Sequence, residues 1–193
     1  MNFSNICSQI SNTIAVEIAL DDEKKEIVSY AVETVILSIS GILLVIIVSS
    51  LFKVLLPALI AAFVGGSLRR LSGGAHFNSP LKCLLSGAII YTFIGILSEQ
   101  IIRLGLTQLI VELPIVIFSL ITAGTLAPVE SQGKPIHSQR LKFILKTLSV
   151  TFILILFIAV SICPYNLLKV SSLLGMSYQC ITLFPIFNRK EVG

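Results

Sequence analysis

The strongest constraint on this chain is where charge is missing. Between successive charged residues lie six uncharged, mainly apolar windows, at 34–52, 54–68, 83–98, 113–129, 147–168 and 170–188. A helix that crosses the hydrocarbon core needs about 20 such residues, within a range of roughly 17–25, and four windows meet that outright. The two shorter ones, 54–68 and 83–98, need their flanks, where Lys53, Arg69 and Lys82 can snorkel and Glu99 to Arg103 can sit at an interface. The runs are continuous rather than alternating, which excludes a transmembrane β-barrel. Only 12% of residues are charged, against about a quarter in a soluble domain. The chain therefore reads as all-α, a polytopic membrane helical bundle of six hydrophobic segments, five or six of them true spans, in one integral membrane domain over 1–193. Pro57 and the Gly65-Gly66 pair mark 54–68 as the segment most apt to be bent, short or re-entrant.

Basic residues orient such a bundle, because cytoplasmic loops retain Lys and Arg. Alternating the segments from a cytoplasmic N-terminus leaves only Lys53, Arg103 and Lys169 of the 14 basic residues outside, with both termini inside. Where the basic residues sit informs more than the formal net charge of +4, which does not argue for nucleic acid. Residues 1–20 lack the positive start and small-residue cleavage site of a signal peptide. Phe3, Ile6, Ile10, Ile14 and Ile18 instead recur every three or four residues, painting an apolar stripe on a helix. The segment 1–26 is expected to be amphipathic and to lie at the cytoplasmic edge, either along the membrane surface or packed on the bundle.

One stretch is chemically dense. Residues 69–83, which run RRLSGGAHFNSPLKC, gather one of two histidines, one of four cysteines, two arginines and a Gly pair between the second and third segments. A cysteine peptidase needs a thiolate nucleophile and an imidazole that takes the thiol proton and returns it to the leaving amine. On one unbroken helix His76 and Cys83 would stand about 10.5 Å apart along the axis, too far for proton transfer. Pro80 removes that obstacle, since it disfavours helix at Ser79 and suits the first position of a new one. With Ser79 as N-cap, Cys83 falls at N4, near the positive end of the helix macrodipole and beside Lys82, both of which favour negative charge on sulfur. The Gly-containing loop can then fold His76 back toward it. A loop histidine, a buried membrane cysteine and an ordinary turn would give the same letters, so the pattern alone leaves both readings open.

The block RRLSGGAHFNSPLKC, followed by an apolar span and then LAPVESQGKPI at 126–136, resembles the AgrB family of bacterial accessory gene regulator proteins. Chain length, the amphipathic N-terminal segment, the number of hydrophobic segments and the basic loop after the fourth agree with it. The resemblance implies His76 and Cys83 as the catalytic pair and the loop 69–83 as catalytic. It puts Arg70, Gly73 and Gly74 on recurrent motif positions and matches Pro128, Lys134 and Pro135 to a second basic cytoplasmic loop, 127–142. It implies a membrane cysteine endopeptidase that removes the C-terminal tail of an AgrD-like peptide precursor. Cleavage passes through a thioester on Cys83 and is coupled to closure of a thiolactone, or lactone, ring for quorum sensing. A homodimer in the bacterial cell membrane, with its active site on the cytoplasmic side, is implied as well. A third, histidine-orienting residue is not. On chemistry alone Asn78, Glu33 and Glu130 are candidates, Glu33 because the first span begins just after it.

Arg69, Arg70, Lys82, Lys134, Arg140, Lys142 and Lys146 form a basic face suited to the acidic tail typical of such precursors. Orienting the bundle and touching anionic lipid would call for the same charges. The expected partners are the precursor, the lipid bilayer and a second copy of the chain, and no nucleic acid. No metal or other cofactor is expected, since HExxH is absent and only two histidines occur, His137 reading as a solvated loop residue. Cys7, Cys163 and Cys180 read as small apolar fillers. Two alternatives share the same spans. One is a small transporter or peptide exporter, whose paired intramembrane charges and matched broken helices are missing. The other is a scaffold that only presents the precursor to another protease.

Overall fold

The computed structural model describes residues 22–74, 79–106, 109–129 and 138–188. They form α1 (Asp22–Leu51), α2 (Leu55–Ser72), α3 (Pro80–Arg103), α4 (Leu109–Leu126), α5 (Gln139–Ile162) and α6 (Asn166–Ile181), then a short 3-10 turn, Pro185–Phe187. The all-helical expectation holds, with six helices among the described residues. Residues 1–21 of the N-terminal segment lie outside the described residues, and 22–26 belong to the start of α1.

Local chemistry sets the boundaries. Lys53 takes the left-handed conformation at the end of α1 (φ 58°). Its N–H bonds to the Ser50 carbonyl at 3.1 Å, and the Val54 N–H reaches the Ser49 carbonyl at 3.0 Å, the paired bonds of a Schellman cap. The same cap closes α3, with Gly105 at φ 70° and the Leu106 N–H on the Ile101 carbonyl at 3.1 Å. Ser138 Oγ accepts from the Leu141 N–H at 3.4 Å and starts α5. Arg140 and Lys142 therefore lie on that helix rather than in a loop. Pro164 forces Cys163 into extended backbone (ψ 128°) and separates α5 from α6.

The helices do not coincide with the uncharged windows. The segment 54–68 is helical and unbroken from Leu55, within the 18 residues of α2, with Val54 as its N-cap. Pro57 is in the first turn, where a missing N–H forfeits no bond, and the helix continues through Arg69 and Arg70. The window 83–98 is extended at both ends into the 24 residues of α3, where Arg103 pairs with Glu99 at 3.6 Å. Conversely, 113–129 leaves helix at Leu126, 170–188 does so at Ile181, and Lys169 lies inside α6 rather than between two spans. Four helices contain stretches long and apolar enough to cross a membrane: Thr34–Leu51 in α1, and α2, α3 and α5 in full.

α2 is the hub. Its buried face, Pro57, Ala58, Ala61, Val64, Gly65, Leu68 and Ser72, recurs every three to four residues and is made mostly of small side chains, which let helix backbones approach. On one side Val45 of α1 and Ala88 of α3 close on Ala58. On the other, Val64 and Leu68 join Val116, Ala123, Ile153, Leu173, Met176 and Cys180 from α4, α5 and α6. Gly175 of α6 lies against the Ala61 backbone, where an added Cβ would be 2.7 Å from Ala61 Cα. The exterior carries Ile39, Ile47, Phe63, Phe93, Ile121, Ile155 and Ile158, all exposed. Serines are turned inward: Ser49, Ser98 and Ser149 each donate to the carbonyl four residues back, at 2.6, 2.8 and 2.8 Å. Apolar surface outside and these three hydroxyls bonded within their own helices suit a lipid solvent.

Candidate functional site

The dense stretch joins α2 to α3 at one end of the bundle. Ser79 is extended (φ −116°, ψ 125°), Pro80 opens α3, and the Cys83 N–H makes the first intrahelical bond, to the Ser79 carbonyl at 3.1 Å. Cys83 therefore occupies N4, the position expected from the proline, and is half-buried. His76 and Asn78 lie outside the described residues, as do Glu130, Lys134, Pro135 and His137. Glu33 is on α1, short of its apolar stretch, but its side chain lies outside the described set.

The Gly pair has a conformational reason. Gly73 is at φ 70°, ψ −152°, a region essentially reserved for glycine, and Gly74 is at φ 136°. The Gly73 N–H closes α2 on the Arg69 carbonyl at 2.9 Å. The chain after α4 then runs alongside. Val129 and Gly73 form an isolated parallel bridge, with the Val129 N–H donating to the Ser72 carbonyl at 2.9 Å. A Cβ on Gly73 would collide with the Val129 carbonyl oxygen. The two loops singled out in the sequence thus meet at Gly73, next to a half-buried Pro128.

α6 contributes what the sequence reading missed. Gln179, fully buried, donates from Nε2 to the Gly73 carbonyl at 2.7 Å and to Ser72 Oγ at 3.2 Å. Thr182 Oγ1 covers Gly74. Tyr178 meets Tyr91 of α3 edge to face, ring centroids 5.6 Å apart, and Tyr91 Oη fills the space beside Gly65. Arg69 is half-buried, whereas Arg70 and Lys82 are exposed. Gln179 carried only a faint signal in sequence, as one of two carboxamides, with Asn188, in a window that also holds three serines.

At the opposite end, Lys169 Nζ lies 4.0 Å from Glu112 Oε1, with side-chain exposures of 18% and 6%. Glu112 lines a small recess with Ile101, Leu106, Ile115, Val170 and Leu173.

No solved structure matches the chain significantly. A "Putative AgrB-like protein" of Clostridium perfringens (strain SM101 / Type A) is 36% identical over 197 residues, covering 95% of this chain and 92% of the relative. A "Putative AgrB-like protein 2" of Clostridium perfringens (strain 13 / Type A) is 35% identical with the same coverage. The family model described as Accessory gene regulator B matches residues 7–183, and with this extent of match, beside two relatives at 35–36% identity over most of the chain, the chain belongs to the Accessory gene regulator B (AgrB) family.

Proposed function

We propose that this chain is a membrane cysteine endopeptidase that removes the C-terminal tail of an AgrD-like precursor and promotes ring closure in the released peptide. Family membership supports a role in the accessory gene regulator system. The observation that carries the finer reading is the placement of Cys83, half-buried in the first turn of α3 and seven residues after His76 in sequence.

Cys83 Sγ attacks the scissile carbonyl carbon. The Leu81 and Lys82 N–H groups precede the first intrahelical bond and so have no acceptor within α3, which suits them to the developing oxyanion. The C–N bond breaks, His76 as imidazolium gives its proton to the departing amine of the tail, and an acyl thioester remains on Cys83. A thiol or hydroxyl within the substrate then attacks that thioester, closing the ring and freeing Cys83. Thioester exchange is nearly balanced, whereas making a thioester from a peptide bond is uphill, so removal of the tail or the product must pull the reaction. Half-burial at the membrane edge limits water, the competing nucleophile.

This end of the bundle carries Arg69, Arg70, Lys82, Arg140 and Lys142, while Lys53, Arg103 and Lys169 are at the other. On that asymmetry the site and both termini are cytoplasmic. Arg70, exposed, and Lys134 are assigned to the acidic tail of the precursor, and the working assembly is a homodimer. Purified protein in liposomes, given synthetic precursor alone under reducing conditions, should release the tail and form a hydroxylamine-sensitive adduct, both lost in Cys83→Ala. Absence of cleavage by the wild type would favour a scaffold, and cleavage or transport that survives Cys83→Ala would favour a transporter.

A further inference from the structure

We propose that Gln179 of α6 is a positioning residue for the reaction, acting through the backbone of the Gly73-Gly74 hinge. The inference rests on the peptidase reading above. Gln179 has no exposed surface, and its Nε2 bridges the Gly73 carbonyl at 2.7 Å and Ser72 Oγ at 3.2 Å. The same amide nitrogen and Thr182 Oγ1 lie 3.0 and 2.7 Å from where a Cβ on Gly74 would stand. From the other side, Val129 holds Ser72 and Gly73 through the parallel bridge. The hinge is clamped between α6 and the segment after α4, and His76 follows Gly74 by two residues. Fixing Gly73 and Gly74 fixes the backbone position from which the chain continues to His76.

Gln179 Oε1 is buried and accepts no hydrogen bond from any described residue. What the carboxamide supplies to the described residues is donation, from Nε2 to the Gly73 carbonyl and to Ser72 Oγ. A methionine of similar length would keep the packing and remove that donation.

The test is Gln179→Met in the full-length protein in liposomes, with synthetic precursor as substrate. The expected result is a kcat about tenfold lower at unchanged KM, the size of one lost positioning bond. The melting temperature should stay within a few degrees of the wild type. Hydrogen–deuterium exchange should quicken in the peptide spanning 73–79 and not elsewhere. An unchanged kcat with unchanged exchange overturns the proposal, as does a kcat loss that tracks a fall in melting temperature. If the wild type itself fails to cleave, the peptidase reading falls, and unchanged exchange at 73–79 independently removes the clamp.

Discussion

Replacing Gly175 by alanine tests the packing on which the site depends. An added Cβ would lie 2.7 Å from Ala61 Cα and 2.9 Å from its carbonyl carbon, where ordinary carbon contacts need about 3.5–4.0 Å. Relief requires α2 and α6 to part by about 1 Å. Overpacking of this kind costs roughly 1–3 kcal/mol, offset by about 0.5–1 kcal/mol from removing a helical glycine. The net is a loss of about 1–1.5 kcal/mol, or roughly tenfold in the population of opened molecules. Gly66→Ala on α2 is the control, because a Cβ added there would have no atom within 4 Å and only the gain of about 0.5–1 kcal/mol remains. Cys180, fully buried on α6, reports the opening. With the other cysteines replaced, its alkylation by a small maleimide scales with the open population when reclosing is fast. The Gly175→Ala protein should react about tenfold faster than its parent, and the Gly66→Ala protein no faster. Equal rates for Gly175→Ala and its parent would refute the close approach of α2 and α6.

Gly73→Ala should abolish cleavage while leaving Cys83 open to alkylation. The backbone there is restricted to glycine, which costs another residue about 1–3 kcal/mol, and the new methyl would strike the Val129 carbonyl and part the two loops. Lys169→Met leaves the Glu112 carboxylate buried without its cation and should destabilise the bundle by about 3 kcal/mol in detergent unfolding. Adding Glu112→Gln should restore most of that loss, and failure to do so would show that the pair is not coupled.

The architecture was legible because membrane helices must satisfy their backbones internally, so six apolar windows yield six helices. Their ends were not, because charge does not end a helix. Arg69 and Arg70 are compatible with the last turn of α2, whereas Pro164 and Gly105 break the chain through backbone geometry that hydropathy does not register. The start of α3 at Pro80, with Cys83 at N4, was readable for the same reason, since proline acts locally. Gln179, Tyr178 and Val129 were not placed, because their role comes from tertiary contact between residues such as Ser72 and Gln179, more than 100 positions apart in sequence. Arg69 and Arg70 are adjacent letters, and only the helical phase at the end of α2 separates the half-buried one from the exposed one.

Gln179 ties one end of α6 to the Gly73 carbonyl, and Lys169 ties the other to Glu112, about 15 Å away along the axis. Between them Tyr178 meets the Tyr91 ring and Gly175 sits on the Ala61 backbone, so the rod is held along its length as well as at its ends. A slip by one turn, about 5.4 Å, would break all of these contacts together, which leaves the register of α6 no small adjustment to make.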